Sequence, residues 1–167
     1  MTRTLLAWML LAAPAAAQTI AIEGGTVYTM EGPPIEGGTV LVRNGRIVAV
    51  GRNVPVPADA QRIDARGKIV TPGLFESSTH LGLSEVEQVD ETNDFRMTDP
   101  QDQVTAALRV WDALNPQSIV LPVTRIAGVT TAVVRPAGNL IAGQGAVIDL
   151  WGDRAEELVV RAPVAMF

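Results

Sequence analysis

The sequence predicts an α/β fold in two parts: a β-rich, sandwich-like segment over residues 18–71, then from Pro72 an alternation of strand and helix that builds a parallel sheet or barrel. Three observations carry this. Residues 20–70 are short β-branched runs punctuated by glycine and proline. Asn44-Gly45 sits between two such runs. Beyond Pro72, strand-like runs are separated by segments with helical spacing, which is the order of a βαβ unit.

Residues 1–17, MTRTLLAWMLLAAPAAA, run from Arg3 through an apolar stretch to Ala15-Ala16-Ala17. A positive start, an apolar centre and a small-residue end make a secretory signal, cleaved before Gln18. The apolar stretch is about a dozen residues, short of the roughly 20 that a membrane-spanning helix needs. The expectation is an exported protein, periplasmic or secreted, with no membrane span after cleavage. An uncleaved anchor is the alternative.

From Ile20 the strands follow in quick succession. The hexapeptide IEGGTV occurs at residues 22–27 and again at 35–40. Two copies are fewer than a stacked repeat array needs, so they are read as similar starts to neighbouring strands. In TVLVRNGRIVAVG, residues 39–51, Asn44-Gly45 tolerates the positive φ of a type I′ turn and predicts a hairpin. Across the hairpin, Val40, Val42, Ile47 and Ala49 fall on one face and Leu41, Val48 and Val50 on the other, so both faces are apolar, as for strands inside a sandwich. The VPVPAD loop, 54–59, is set by its prolines, and QRIDARGKIV, 61–70, gives another short strand or strand pair turning at Gly67.

After Pro72 the texture changes. LFESSTHLGL, 74–83, is a strand candidate ending near Gly82, and the acid-rich SEVEQVDETNDFRMTDPQD, 84–102, is a loop of a length that is usually functional or disordered, the acids of its SEVEQVDETND part, 84–94, being read as solvated. PQDQVTAALRVWDALN, 100–115, places Val104, Ala107, Leu108, Trp111 and Leu114 at helical spacing and predicts an amphipathic helix opened by Asp99-Pro100. PQSIVLPVTRIAG, 116–128, is a shorter helix, broken or started by Pro122 and stopped by Gly128. VTTAVVRP, 129–136, and GAVIDLWG, 145–152, are strands. ELVVRAPVAMF, 157–167, is an apolar strand-like run without a polar cap, read as a chain that stops inside an unfinished barrel.

Composition narrows the chemistry. With no cysteine the fold must be held by its core, and thiol catalysis and cysteine-ligated metal centres are excluded. Phosphate backbones are bound by clustered cations. The 13 Lys and Arg against 18 Asp and Glu therefore argue against nucleic acid as a partner.

The run IDARGKIVTPGLFESSTH, 63–80, preceded by GGTVLVRNGRIVAVG and followed by AGVTTAVVRP and IAGQGAVIDL, resembles the amidohydrolase superfamily, and within it the exported imidazolonepropionase-like amidohydrolases. The resemblance covers nearly all of residues 18–167 and is densest at 63–82. It implies a small β-sandwich followed by a distorted TIM-like (β/α)8 barrel. Such a barrel holds one or two divalent metals, usually zinc, whose bound hydroxide attacks an amide or related C–N bond. Residues 18–71 are then the N-terminal sandwich segment, and 72–167 the first βα units of a barrel that is incomplete in this chain.

In that family the first barrel strand reads Pro-Gly-Leu-Ile-Asp, any residue, His, any residue, His. Pro72, Gly73, Leu74 and His80 match, while Phe75, Glu76 and Ser78 replace the isoleucine, the aspartate and the first histidine. Side chains two apart on a strand share a face, so Glu76, Ser78 and His80 are expected together. A serine hydroxyl is a poor ligand where neutral imidazole is a good one. His80 is therefore either a ligand to zinc or another divalent metal, or a structural histidine.

No catalytic residue is assigned. Ser77, Ser78 and Thr79 lack a Gly-x-Ser-x-Gly elbow around them. Gly143-Gln144-Gly145 lacks the third glycine of a dinucleotide fingerprint and is read as a loop shaped by its backbone. The resemblance implies a metal-dependent hydrolase acting on C–N bonds of cyclic amide or peptide-like small molecules. The replacement at Ser78 keeps open a barrel protein that has lost catalysis and serves as an exported binding or assembly subunit. Residues 18–167 taken alone are expected to be inactive.

Overall fold

The computed structural model describes residues 18–96, 103–138 and 140–167; the signal expected at residues 1–17 lies outside them. The chain divides into two compact units between Pro72 and Gly73.

The first unit is one mixed sheet. Its strands are β1 (Thr19–Val27), β2 (Ile35–Arg43), β3 (Arg46–Gly51), β4 (Gln61–Asp64) and β5 (Ile69–Val70), in the order β3-β2-β1-β4, with β5 also on β1. β2 runs antiparallel to both β1 and β3, whereas β4 and β5 run parallel to β1. The hairpin between β2 and β3 turns on Asn44 (φ 51°) and Gly45 (φ 72°), the pair of positive angles that a type I′ turn requires. The two IEGGTV copies lie on β1 and β2 and pair with each other, Ile22 opposite Val40 and Val27 opposite Ile35. Their glycines permit this close crossing: a Cβ on Gly38 would stand 2.8 Å from Val27 Cγ2.

Burial in this sheet is uneven. Val40 and Leu41, adjacent on β2, are both buried, so β2 is covered on both faces. β3 departs from the expectation of a strand enclosed in a sandwich. It is an edge strand in this unit, and its Ile47 and Val48 are 66% and 51% exposed.

The second unit holds a four-stranded sheet, β6 (Leu74–Thr79), β7 (Val129–Val134), β8 (Gln144–Asp149) and β9 (Val159–Met166), in that order, with short helices α1 (Val120–Ile126) and α2 (Ala155–Leu158). β6 and β7 are parallel with α1 between them in sequence, which is the expected βαβ unit. Pro122 falls in the first turn of α1, where a missing N–H costs nothing, and Gly128 (φ 101°) follows its C-cap, Ala127. Beyond β7 the sheet turns antiparallel, β7 to β8 and β8 to β9. Residues 135–143 and 150–158 are shorter than the dozen or more residues that a parallel crossover needs.

The amphipathic helix expected at residues 100–115 is not formed. Residues 100–102 lie outside the described ones, and 103–115 are extended and turned, with one 3₁₀ turn at Val110–Asp112. Tertiary pairing overrides the helical period here. Thr105 N–H donates to the Ile141 carbonyl at 2.7 Å and Gln144 N–H to the Leu108 carbonyl at 2.8 Å. Val104, placed on the apolar face by periodicity, is 56% exposed, while Val110, placed off it, is fully buried. Within its described residues, 84–96, the acidic loop is also packed rather than simply solvated. Asn93 is buried, accepting from Ser84 Oγ at 2.5 Å and donating to the Glu87 carbonyl at 2.9 Å.

Leu83, Phe95, Val110, Leu121, Val134, Ile148 and Leu158 belong to one apolar cluster, the core of this unit. No helix among the described residues is long and apolar enough to cross a membrane.

Candidate functional site

The parallel pair β6/β7 places the residues singled out above. β6 does not keep strict alternation: Glu76 pairs with Ala132 and Thr79 with Val134, so β6 advances three residues while β7 advances two. One extra residue in a strand is a bulge, and it re-aims the side chains around it. The single shared face expected for Glu76, Ser78 and His80 is interrupted there. Glu76 instead turns back on its own strand, Oε1 accepting the Ser78 backbone N–H at 3.1 Å.

Ser78 is held from the neighbouring strand. Arg135, the residue after β7, donates from Nε to Ser78 Oγ at 2.6 Å and from Nη1 to the Pro136 carbonyl at 3.2 Å. Its backbone N–H continues the ladder to the Thr79 carbonyl at 3.1 Å.

His80 follows the last residue of β6. Its ring stacks on Phe95 with centroids 3.9 Å apart and an interplanar angle of 5°. Nε2 is buried without a hydrogen-bond partner. Burial holds the imidazole pKa below its ordinary value, the Arg135 charge pushes the same way, and Glu87 opposes both. The ring lines a cavity of about 280 Å³ together with Thr79, Ser84, Glu85, Glu87 and Phe95.

A neutral imidazole with an unpartnered nitrogen is a suitable donor for zinc. Its surroundings are not. The hydroxyl in place of the family's first histidine already accepts from a guanidinium, and that guanidinium brings a positive charge to the histidine. No group of three or more His, Cys, Asp or Glu side chains converges among the described residues. The donors described here do not by themselves fit a divalent ion.

Reading the sequence missed Arg135. The available signal was its position, directly after the second strand of a βαβ unit, where open α/β sheets collect ligands. Gly143, by contrast, does what its backbone allows. At φ 128° its missing Cβ leaves room for the Leu108 carbonyl, which would otherwise stand 2.6 Å away.

The geometry defines a β-rich unit followed by a βαβ unit with polar groups at the strand ends. The sequence matches no protein-family model. It is 44% identical over 71 residues to a 5-methylthioadenosine/S-adenosylhomocysteine deaminase of Symbiobacterium thermophilum, covering 40% of this chain and 16% of that protein. It is 50% identical over 54 residues to an imidazolonepropionase of Geobacillus kaustophilus, covering 28% of this chain and 13% of that protein. The crystal structure of an amidohydrolase from Thermotoga maritima MSB8 superposes with a TM-score of 0.78 at 32% identity, over 88% of this chain and 38% of the other. The chain belongs to the amidohydrolase superfamily. It spans about a sixth or less of the lengths of these two curated relatives.

Proposed function

We propose that the protein is a hydrolase acting on C–N bonds of cyclic amide or peptide-like small molecules. The observation that carries this reading is the β6-α1-β7 unit, whose parallel strands end on Ser78, His80 and Arg135, in a chain similar to a deaminase and an imidazolonepropionase. Neutral His80, with Nε2 unpartnered, is suited to accept a proton. Arg135 is suited to orient a substrate oxygen.

Metal dependence rests on the family resemblance and not on the donors described above. Zinc per chain in protein purified from its own host, before and after chelation, tests it. Export rests on residues 1–17, and N-terminal sequencing of the secreted or periplasmic protein should begin at Gln18.

The activity test is hydrolysis of imidazolone, lactam, hydantoin and dipeptide substrates by the protein as its host produces it. Turnover is expected, with a large loss in His80→Ala. A second reading, a non-catalytic binding subunit, is favoured by one observation: Ser78 Oγ is engaged by Arg135 rather than left open. No turnover of any of these compounds would replace the hydrolase by the binding subunit.

A further inference from the structure

We propose that the paired ends of β6 and β7 form a site for a small oxyanion, carboxylate or phosphate, with the Arg135 guanidinium as its fixed cation in place of a divalent metal. The proposal goes beyond the hydrolase reading and stands without it.

Its first support is charge. Among the described residues, Arg62, Arg66, Arg96, Arg109 and Arg154 each meet a carboxylate, and Arg43, Arg46, Arg52, Arg125, Arg135 and Arg161 do not. Arg135 is fixed only by neutral acceptors, Ser78 Oγ and the Pro136 carbonyl. It is a cation held in position by the neighbouring strand and ion-paired with no described carboxylate, and a guanidinium stays charged at any ordinary pH.

The second support is the supply of donors. Ser78 Oγ accepts from Nε, which leaves the hydroxyl proton free to be donated, and Nη2 donates to no described residue. An oxyanion can accept from these O–H and N–H groups, whereas a divalent cation is repelled by the arginine. The carboxylates nearby do not cancel the site. Glu76 is bonded to the Ser78 backbone N–H, Glu87 acts on His80, and neither is paired with Arg135. The third support is place, since ligands of parallel sheets gather outside the carboxyl ends of their strands.

The test is a titration of the full chain with sodium acetate and, separately, inorganic phosphate at constant ionic strength. It follows the Arg135 Nε–H and Ser78 amide resonances by ¹⁵N NMR. Saturable shifts are expected with at least one of the two anions. Arg135→Gln should weaken binding about tenfold or more, Arg135→Lys should retain part of it, and Ser78→Ala should weaken it several-fold. A parallel zinc titration should leave these resonances unmoved in the wild type. Ser78→His should gain zinc affinity only when combined with Arg135→Gln. Unmoved resonances with both anions, equal binding by a folded Arg135→Gln chain, or saturable zinc binding in the wild type would each overturn the proposal. The wild-type titrations decide the matter even if a variant fails to fold.

Discussion

β6 and β8 belong to one sheet, separated only by β7, and the fold treats them oppositely. No residue of β6 is buried, and Leu74 and Phe75 are each 57% exposed. In β8, Ala146 and Ile148 are fully buried. The difference follows from position: β8 has a partner on each side and β6 on one only. The strand carrying Ser78 and leading into His80 is thus, like the other edge strand β9, one that gives the core no buried residue. Chemistry and stability are separable within this unit.

The largest expected effect tests that separation directly. Ile148→Ala removes a fully buried side chain and should cost about 2–5 kcal/mol. Phe75→Ala should cost at most about 1 kcal/mol. Urea midpoints of the two variants measure the contrast, and equal losses would abolish it.

A smaller effect is expected where β6 is tied to β7. The Ser78–Arg135 hydrogen bond should show a coupling of about 0.5–1.5 kcal/mol in a double-mutant cycle of Ser78→Ala and Arg135→Ala. No coupling would mean that the strand ends are joined by backbone alone.

His80 sharpens the comparison through pH. Its folded pKa is lowered by burial and by Arg135, so the unfolded chain binds the proton more readily. This contribution to stability is fully present above the unfolded value of about 6.5 and is lost as pH falls through that value towards the folded one. The urea midpoint should therefore drop between pH 7.5 and pH 5, and His80→Gln should flatten the drop. A ring titrating above pH 6.5 by NMR would reverse the sign.

The smallest effect belongs to the first sheet. Asp64 accepts from the Arg66 side chain and backbone N–H, and its pKa falls to about 2. Its contribution is present above the ordinary carboxylate value and is lost as pH falls towards 2. The pair is fully exposed and screened, so Asp64→Asn should leave the urea midpoint at neutral pH unchanged within error.

Local chemistry made much of this molecule readable in advance. Asn44-Gly45 specified its hairpin because positive φ is a property of those two residues and needs no distant partner. Gly128 closed α1 for the same kind of reason, while Pro122 fell inside its first turn rather than starting or breaking it. The degenerate motif ending at His80 was visible from identity and spacing along one strand.

Where distant segments meet, local signals gave way. Residues 103–115 have helical spacing, yet their hydrogen bonds go to 141–144, and that pairing wins because it satisfies backbone groups while burying Val110 and Leu114. The bulge between Glu76 and Thr79 broke the face-sharing that strict alternation demanded. Arg135 reaches Ser78 across 57 residues of sequence, and only the parallel pairing of β6 with β7 brings them together. Turn type and helix ends are set by the φ preferences of single residues. Whether a histidine stands beside a metal or beside a guanidinium is set by what the neighbouring strand delivers.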